Sequence, residues 1–110
     1  MVLTERLERA AERMDLGPRD LARALDASPR TVSRWLSQET TPRGDAKERM
    51  LEVVAVFDRL TATLTPAAAH DWLFTPNAAL DYHKPIDLLR EGEFRRVLGA
   101  IDALAEGVFV

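Results

Sequence analysis

The stretch Ala27-Ser28-Pro29-Arg30-Thr31-Val32-Ser33-Arg34-Trp35-Leu36-Ser37-Gln38 carries a full set of signals for one short helix. Ser28 can cap the first free amides, and Pro29 after it is pre-set for helical φ. Val32, Trp35 and Leu36 recur at helical spacing and can bury one face. Arg30, Thr31, Ser33, Arg34, Ser37 and Gln38 fall around the rest; all can donate hydrogen bonds and none is acidic. A helix lying in a DNA major groove needs that chemistry, because phosphates and base edges are rich in acceptors. An ordinary surface helix with two solvated arginines would satisfy the same pattern, so the neighbouring residues have to decide.

Those neighbours are Pro18-Arg19-Asp20-Leu21-Ala22-Arg23-Ala24-Leu25, a short helix with Leu21, Ala22 and Leu25 turned inward. A three-residue turn, Asp26-Ala27-Ser28, joins the two. Helix, tight turn and second helix with a polar outer face is the helix-turn-helix arrangement. Ala22 matters because a bulky side chain there would hold the helices apart. Many such motifs carry glycine where Asp26 stands, and Asp visits the left-handed region more readily than most residues. From Leu21 to Leu36 the segment resembles the Xre/Cro-type helix-turn-helix. That resemblance implies DNA binding, with Ser28 to Gln38 as the recognition helix and Ser28, Arg30, Thr31, Ser33, Arg34, Ser37 and Gln38 as its contact residues.

The 110 residues suit one domain, or helical subdomains sharing a core, and 46% hydrophobic residues exclude a disordered chain. The absence of cysteine excludes a disulfide framework, a thiolate nucleophile and a cysteine metal site. No apolar run reaches the roughly 20 residues of a membrane span, and the start Met1-Val2-Leu3-Thr4-Glu5-Arg6 is charged too early for a secretory signal. The expectation is a soluble cytoplasmic protein without membrane contact. The net charge of −3 is awkward for a DNA binder, but residues 1–50 carry +1 and residues 51–110 carry −4. A weakly charged DNA-binding half makes few phosphate contacts, so DNA binding is expected from a homodimer.

Taken in order, Leu3, Leu7, Ala10, Ala11 and Met14 line a first helix, with Thr4 as its cap, Glu5 and Arg9 as an i,i+4 pair and Gly17 as its end. After Pro42-Arg43-Gly44, Asp45 and Glu48 read as a capping box opening the longest helix, about Ala46 to Leu64. Its stripe of Met50, Val53, Val54, Phe57, Leu60 and Leu64 marks a core spine. Short helices opened by Pro66, Pro76 and Pro85 follow, then a last helix from about Glu93 to Glu106 with Phe94, Val97, Leu98, Ile101, Leu104 and Ala105 inward and Gly107 as its stop. The fold class is all-α. The organisation is a helix-turn-helix region at 1–44, a connecting helix at 45–64 and a C-terminal bundle of short helices at 65–110.

Catalytic chemistry is missing from this pattern. His70 and His83 are too far apart for an i,i+4 metal pair, and neither a phosphate loop nor a nucleophile elbow is present. No enzyme, metal or cofactor is expected, and Trp35, Trp72 and Phe74 read as core rather than a stacking platform.

Trp72-Leu73-Phe74-Thr75-Pro76-Asn77-Ala78-Ala79-Leu80, Lys84-Pro85-Ile86-Asp87-Leu88-Leu89-Arg90-Glu91-Gly92, and then Val97 and Leu98 form a second pattern. It resembles the toxin-binding domain of the MbcA/ParS/Xre antitoxins over about Pro66 to Val110, whose members show Pro-Asn, a following Leu, Pro and Leu-Leu, and a glycine before the last helix. Members carry a glycine-containing turn after the position of Leu80, where this chain reads Asp81-Tyr82-His83. The ending Ala105-Glu106-Gly107-Val108-Phe109-Val110 looks like the mycobacterial MbcA branch. The resemblance implies an antitoxin that blocks the active site of a RES-domain, NAD-consuming toxin and represses its own operon by binding operator DNA. It also implies toxin-facing residues, taken as Lys84, Arg90, Arg95, Arg96 and the apolar Val108, Phe109 and Val110. Burying a phenylalanine is worth roughly 1.5–3 kcal/mol, so that apolar stretch packs either on its own core or in a partner's cleft. The rival reading is a stand-alone transcriptional regulator whose second half dimerises or binds a ligand; an adaptor without DNA binding is a third.

Overall fold

The computed structural model describes residues 2–107, and its helices follow from how the chain starts and stops them. They are α1 (Leu3–Arg13), α2 (Pro18–Leu25), α3 (Pro29–Leu36), α4 (Asp45–Thr63), α5 (Pro66–Leu73), a single 3-10 turn (Ala78–Leu80), α6 (Pro85–Arg90) and α7 (Phe94–Ala105). The fold is all-α, as the periodicity predicts; among the described residues the one extended pairing is an isolated bridge between Asn77 and His83.

Proline at the first helical position starts four of these helices. Ser28 and Thr65 cap as their side chains allow, accepting from Thr31 N at 3.0 Å and Ala68 N at 3.3 Å. Several expected boundaries move. Thr4 lies inside α1, whose cap position is Val2 with no side-chain bond. Glu5 and Arg9 form no ion pair; Arg6 reaches Asp58 at 2.9 Å instead. The chain leaves α1 at Asp15, left-handed at φ 54, not at Gly17. Gly17 precedes α2, and its N–H donates to Asp20 Oδ2 at 3.0 Å. Asp45 is already helical after Gly44 at φ 56, so no capping box forms with Glu48. Pro76 starts no helix, because Asn77 takes the cap and accepts from Ala79 N at 2.9 Å.

The core is continuous. Met50, Val53, Val54, Val56, Phe57 and Leu60 bury α4 along most of its length, against α1, α2, α5 and α7. Trp35 is buried, and Trp72 and Phe74 pack half-buried against the same cluster. In α7, Val97, Ala100 and Ile101 are buried, while Leu104 is half-buried and Ala105 exposed, so the inward face is rotated slightly from the expected one. A radius of gyration of 13.3 Å matches the roughly 13 Å of one compact domain, so all three segments share one body. Among the described residues no helix is long and apolar enough to cross a membrane.

Corners between helices rest on left-handed residues. Asp15, Asp26, Gln38, Asp81 and Tyr82 take positive φ besides Gly44, Gly92 and Gly107. Asp26 at φ 51 makes the corner between α2 and α3 without glycine. Each non-glycine in this region costs on the order of 1–2 kcal/mol, less for Asp.

Helix α6 ends on a device with no local signal. Arg49 of α4 donates from Nη1 to the carbonyls of Leu89 at 3.0 Å and Arg90 at 2.9 Å, with its guanidinium 5.8 Å from the Phe94 ring centre. It thereby satisfies carbonyls that a six-residue helix would leave open. Arg49→Met keeps the stem and removes both bonds. Urea unfolding should show a loss of about 1–3 kcal/mol; a loss within about 0.5 kcal/mol, the range of a neutral surface change, would mean that water serves those carbonyls as well.

Candidate functional site

The outward face of α3 is set by what its inward face buries. Val32 and Trp35 are buried and Leu36 half-buried, which at 100° per residue leaves Arg30, Ser33, Arg34 and Ser37 on the opposite arc. Arg30 and Ser33 are exposed, and Arg34 is half-buried. Ser28 Oγ accepts from Thr31 N and sits 2.8 Å from Thr31 Oγ1, so these two hydroxyls hold the helix start. The helix stops at Leu36, two residues before the expected Gln38. Ser37 is its cap residue and donates from Oγ to Arg34 O at 3.2 Å, while Gln38 turns away at φ 62. Of the seven predicted contact residues, Arg30 and Ser33 present exposed side-chain donors on the helix itself, with the partly exposed Arg34 beside them.

Glu39 is the residue that pattern reading missed here. Gln38 folds the chain back, Glu39 N–H donates to Arg34 O at 2.9 Å, and Glu39 Oε1 comes within 3.9 Å of Arg34 Nε. Both side chains are well exposed, so the pair is screened and weak. A carboxylate therefore stands beside the basic face and opposes its field. No proximity in sequence to the helix pattern reveals it, since the reversal at Gln38 depends on a left-handed φ.

The second candidate set spreads over α6, α7 and the turn between them. Lys84 is the residue before α6 and is half-buried; Arg95 is exposed on the first turn of α7. Arg90 reaches back to the helix-turn-helix corner, with Nε 3.4 Å from Asp26 Oδ1. Arg96 Nη2 lies 3.0 Å from Asp81 Oδ2. Two of the four basic residues are thus engaged within the fold while remaining partly exposed. Val108, Phe109 and Val110 lie outside the described residues. Gly107, at φ 73 with its N–H bonded to Leu104 O, ends α7 as expected.

Helix α2 connects the two sets. It packs on α3, and also on α6, where Arg23 meets Asp87 at 2.6 Å. Both histidines serve the frame: Nδ1 of His70 bonds Met14 O at 2.8 Å and Nδ1 of His83 bonds Leu80 O at 3.0 Å. The cleft of about 380 Å³ beside His70 has exposed walls in Arg13, Asp15, Pro66, Ala67 and Asp71. Such an open hollow does not enclose a small molecule as ligand pockets do.

The geometry has close counterparts. Residues 53–107 match the family described as the antitoxin Xre/MbcA/ParS C-terminal toxin-binding domain. The chain is 43% identical over 109 residues to the mycobacterial cidal antitoxin MbcA of Mycobacterium tuberculosis and of Mycobacterium bovis, covering 99% of this chain and 96% of theirs. A probable mycobacterial cidal antitoxin of M. tuberculosis is 29% identical over 92 residues, which is 83% of this chain and 77% of that one. Among solved structures, a chain of the M. tuberculosis MbcT–MbcA toxin–antitoxin complex superposes with a TM-score of 0.87 at 43% identity, covering 100% of this chain and 99% of the other. The chain belongs to the Xre/MbcA/ParS antitoxin family.

Proposed function

We propose that this chain is the antitoxin of a type II toxin–antitoxin pair, that it neutralises a RES-domain, NAD-consuming toxin by blocking its active site, and that it represses its own operon through α3. The observation that carries the reading is near-full-length likeness to an antitoxin crystallised with its toxin, spanning both the helix-turn-helix half and the 53–107 segment. The acidic second half agrees with protein contact there, and the donor-rich face of α3 with DNA. Co-expression with a RES-domain toxin is the direct test. A stable complex and rescued growth are expected; a toxin that kills with undiminished potency in the presence of this chain would end the proposal.

For DNA, Arg30 and Arg34 are the readers. A guanidinium held bidentately by guanine discriminates by roughly 1–3 kcal/mol, whereas a phosphate contact strengthens binding almost evenly across sequences and steepens the salt slope by about 0.9. Arg30→Ala with Arg34→Ala should cut operator affinity in a gel-shift titration at fixed salt and leave toxin binding intact. Operator affinity unchanged by the double substitution would remove α3 from the role.

One α3 serves one half-site, so the operator complex is a homodimer on half-sites about 34 Å apart or a multiple of that. Light scattering should give twice the chain mass plus that of the operator duplex when operator is bound. A monomer at every concentration, with and without operator and toxin, refutes it.

On the toxin side, Lys84, Arg90, Arg95 and Arg96 line the approach and Val108, Phe109 and Val110 fill the toxin's cleft. Deleting Phe109 and Val110 should leave the melting temperature and operator binding nearly unchanged and abolish protection from the induced toxin. A truncated chain that still rescues growth sinks the plug; one that melts earlier returns these residues to the core.

A further inference from the structure

Between α5 and α6 the chain builds one tight corner and places an aromatic at its tip. Asp81 and Tyr82 are left-handed in succession, at φ 54 and 64. Asn77 N–H donates to His83 O at 3.1 Å, Tyr82 N–H to Asn77 O at 2.8 Å, and His83 N–H to Leu80 O at 3.0 Å. Asn77 Oδ1 accepts from Ala79 N at 2.9 Å, and Asp81 ties the corner to α7 through Arg96 at 3.0 Å. Four hydrogen bonds and an ion pair hold a stretch of seven residues, so the position of residue 82 is fixed before any partner arrives.

Tyrosine is a poor choice for that position on the fold's own terms. Two consecutive left-handed residues favour Asn, Asp and Gly, and a bulky side chain there is strained. Burial does not compensate, because Tyr82 is 74% exposed, more than any other large hydrophobic residue described. Rigid, amphipathic and exposed, it has the properties of an interface anchor: large apolar area, few rotatable bonds and little entropy left to lose.

We propose that Tyr82 is an anchor residue for the toxin protein, a contact separate from the Val108–Val110 segment and set on the opposite end of α7. This rests on the antitoxin reading above. The corner lies inside the 53–107 segment that matches a toxin-binding domain. It is followed at once by Lys84, which makes no ion pair among the described residues, and is bonded to Arg96. From Arg96 to Gly107 the chain advances about 16 Å at 1.5 Å per residue. Two contacts that far apart fit within one standard protein interface of about 800 Å² per partner. Fixing the toxin at both ends of α7 sets its orientation as well as its affinity.

The test uses the full chain and a RES-domain toxin, with Tyr82→Asn and Tyr82→Gly, both of which accept left-handed φ, and Tyr82→Phe as the conservative variant. Calorimetric titration should show toxin binding weakened about 10- to 100-fold in the Asn and Gly variants and nearly preserved in Phe. Their melting temperatures should equal or exceed the parent's, and operator binding should not change. If the parent itself fails to bind the RES-domain protein, the antitoxin reading falls and this inference with it. If the parent binds and the Asn and Gly variants bind within threefold, the anchor is refuted while the antitoxin reading stands. A lowered melting temperature would make Tyr82 a structural residue, and a change in self-association with unchanged toxin affinity would make its partner a second copy; either overturns the proposal.

Discussion

The packing of α2 between α3 and α6 is the constraint on which the arrangement of this molecule depends. Eight residues are too few to hold a helix in water, where isolated helices shorter than about 12 to 15 residues are marginal. Helix α2 exists because Leu21, Ala22, Ala24 and Leu25 are all buried, an arc wide enough to meet helices on more than one side. Charges then fix its register. Arg23 and Asp26 oppose Asp87 and Arg90, so the order of signs on one element is the reverse of that on the other. Sliding either helix by one turn would break both contacts. Exposed pairs of this kind add at most about 1 kcal/mol each, and their effect is to select one alignment out of several that hydrophobic contact alone would permit.

Arg49 extends the same logic to the far side of α6. It spans from α4 to the last carbonyls of α6 and lies against Phe94. Helix α6 has six residues, four of them buried, and its ends are completed by other elements. Neither α2 nor α6 is an autonomous unit. Helix α2 packs on the long helix α4 and α6 packs on α2, α5 and α7, and α4 in turn is buried along Met50, Val53, Val54, Val56, Phe57 and Leu60 by helices from both halves of the chain.

This explains which parts of the structure were legible in the sequence. Helix starts at Pro18, Pro29, Pro66 and Pro85 were readable because proline, joined at two of them by the capping hydroxyls of Ser28 and Thr65, acts within three residues. The apolar stripe of α4 was readable because 19 residues give several periods. Stops were harder. Gly107 ended its helix as glycine does, but Asp15 turned left-handed two residues before the glycine expected to stop α1, and Gln38 did so without any residue type that announces it. At the candidate site the outward arc of α3 followed from its buried residues, while Glu39 and its approach to Arg34 did not. The bonds of Arg90 to Asp26, Arg96 to Asp81 and His70 to Met14 span 64, 15 and 56 residues, so no local pattern encodes them.

A single core also governs how the two surfaces must be separated by experiment. Because the residues that carry α3 and those that carry α7 belong to one buried cluster, a core substitution beneath either surface lowers the stability of both. Loss of DNA and toxin binding together is therefore what a destabilised chain would show, and it says nothing about a shared site. Substitutions at exposed positions such as Arg30 avoid this, since side chains that touch no core change stability by only about 0.5 kcal/mol. Asp26 and Arg90 occupy the intermediate case: both are exposed, yet they join the corner of the helix-turn-helix to the end of α6. An effect of Arg90→Ala on toxin binding alone would reflect a lost contact, whereas one that also reached DNA would have to pass through Asp26 and the α2 register that sets the angle of α3.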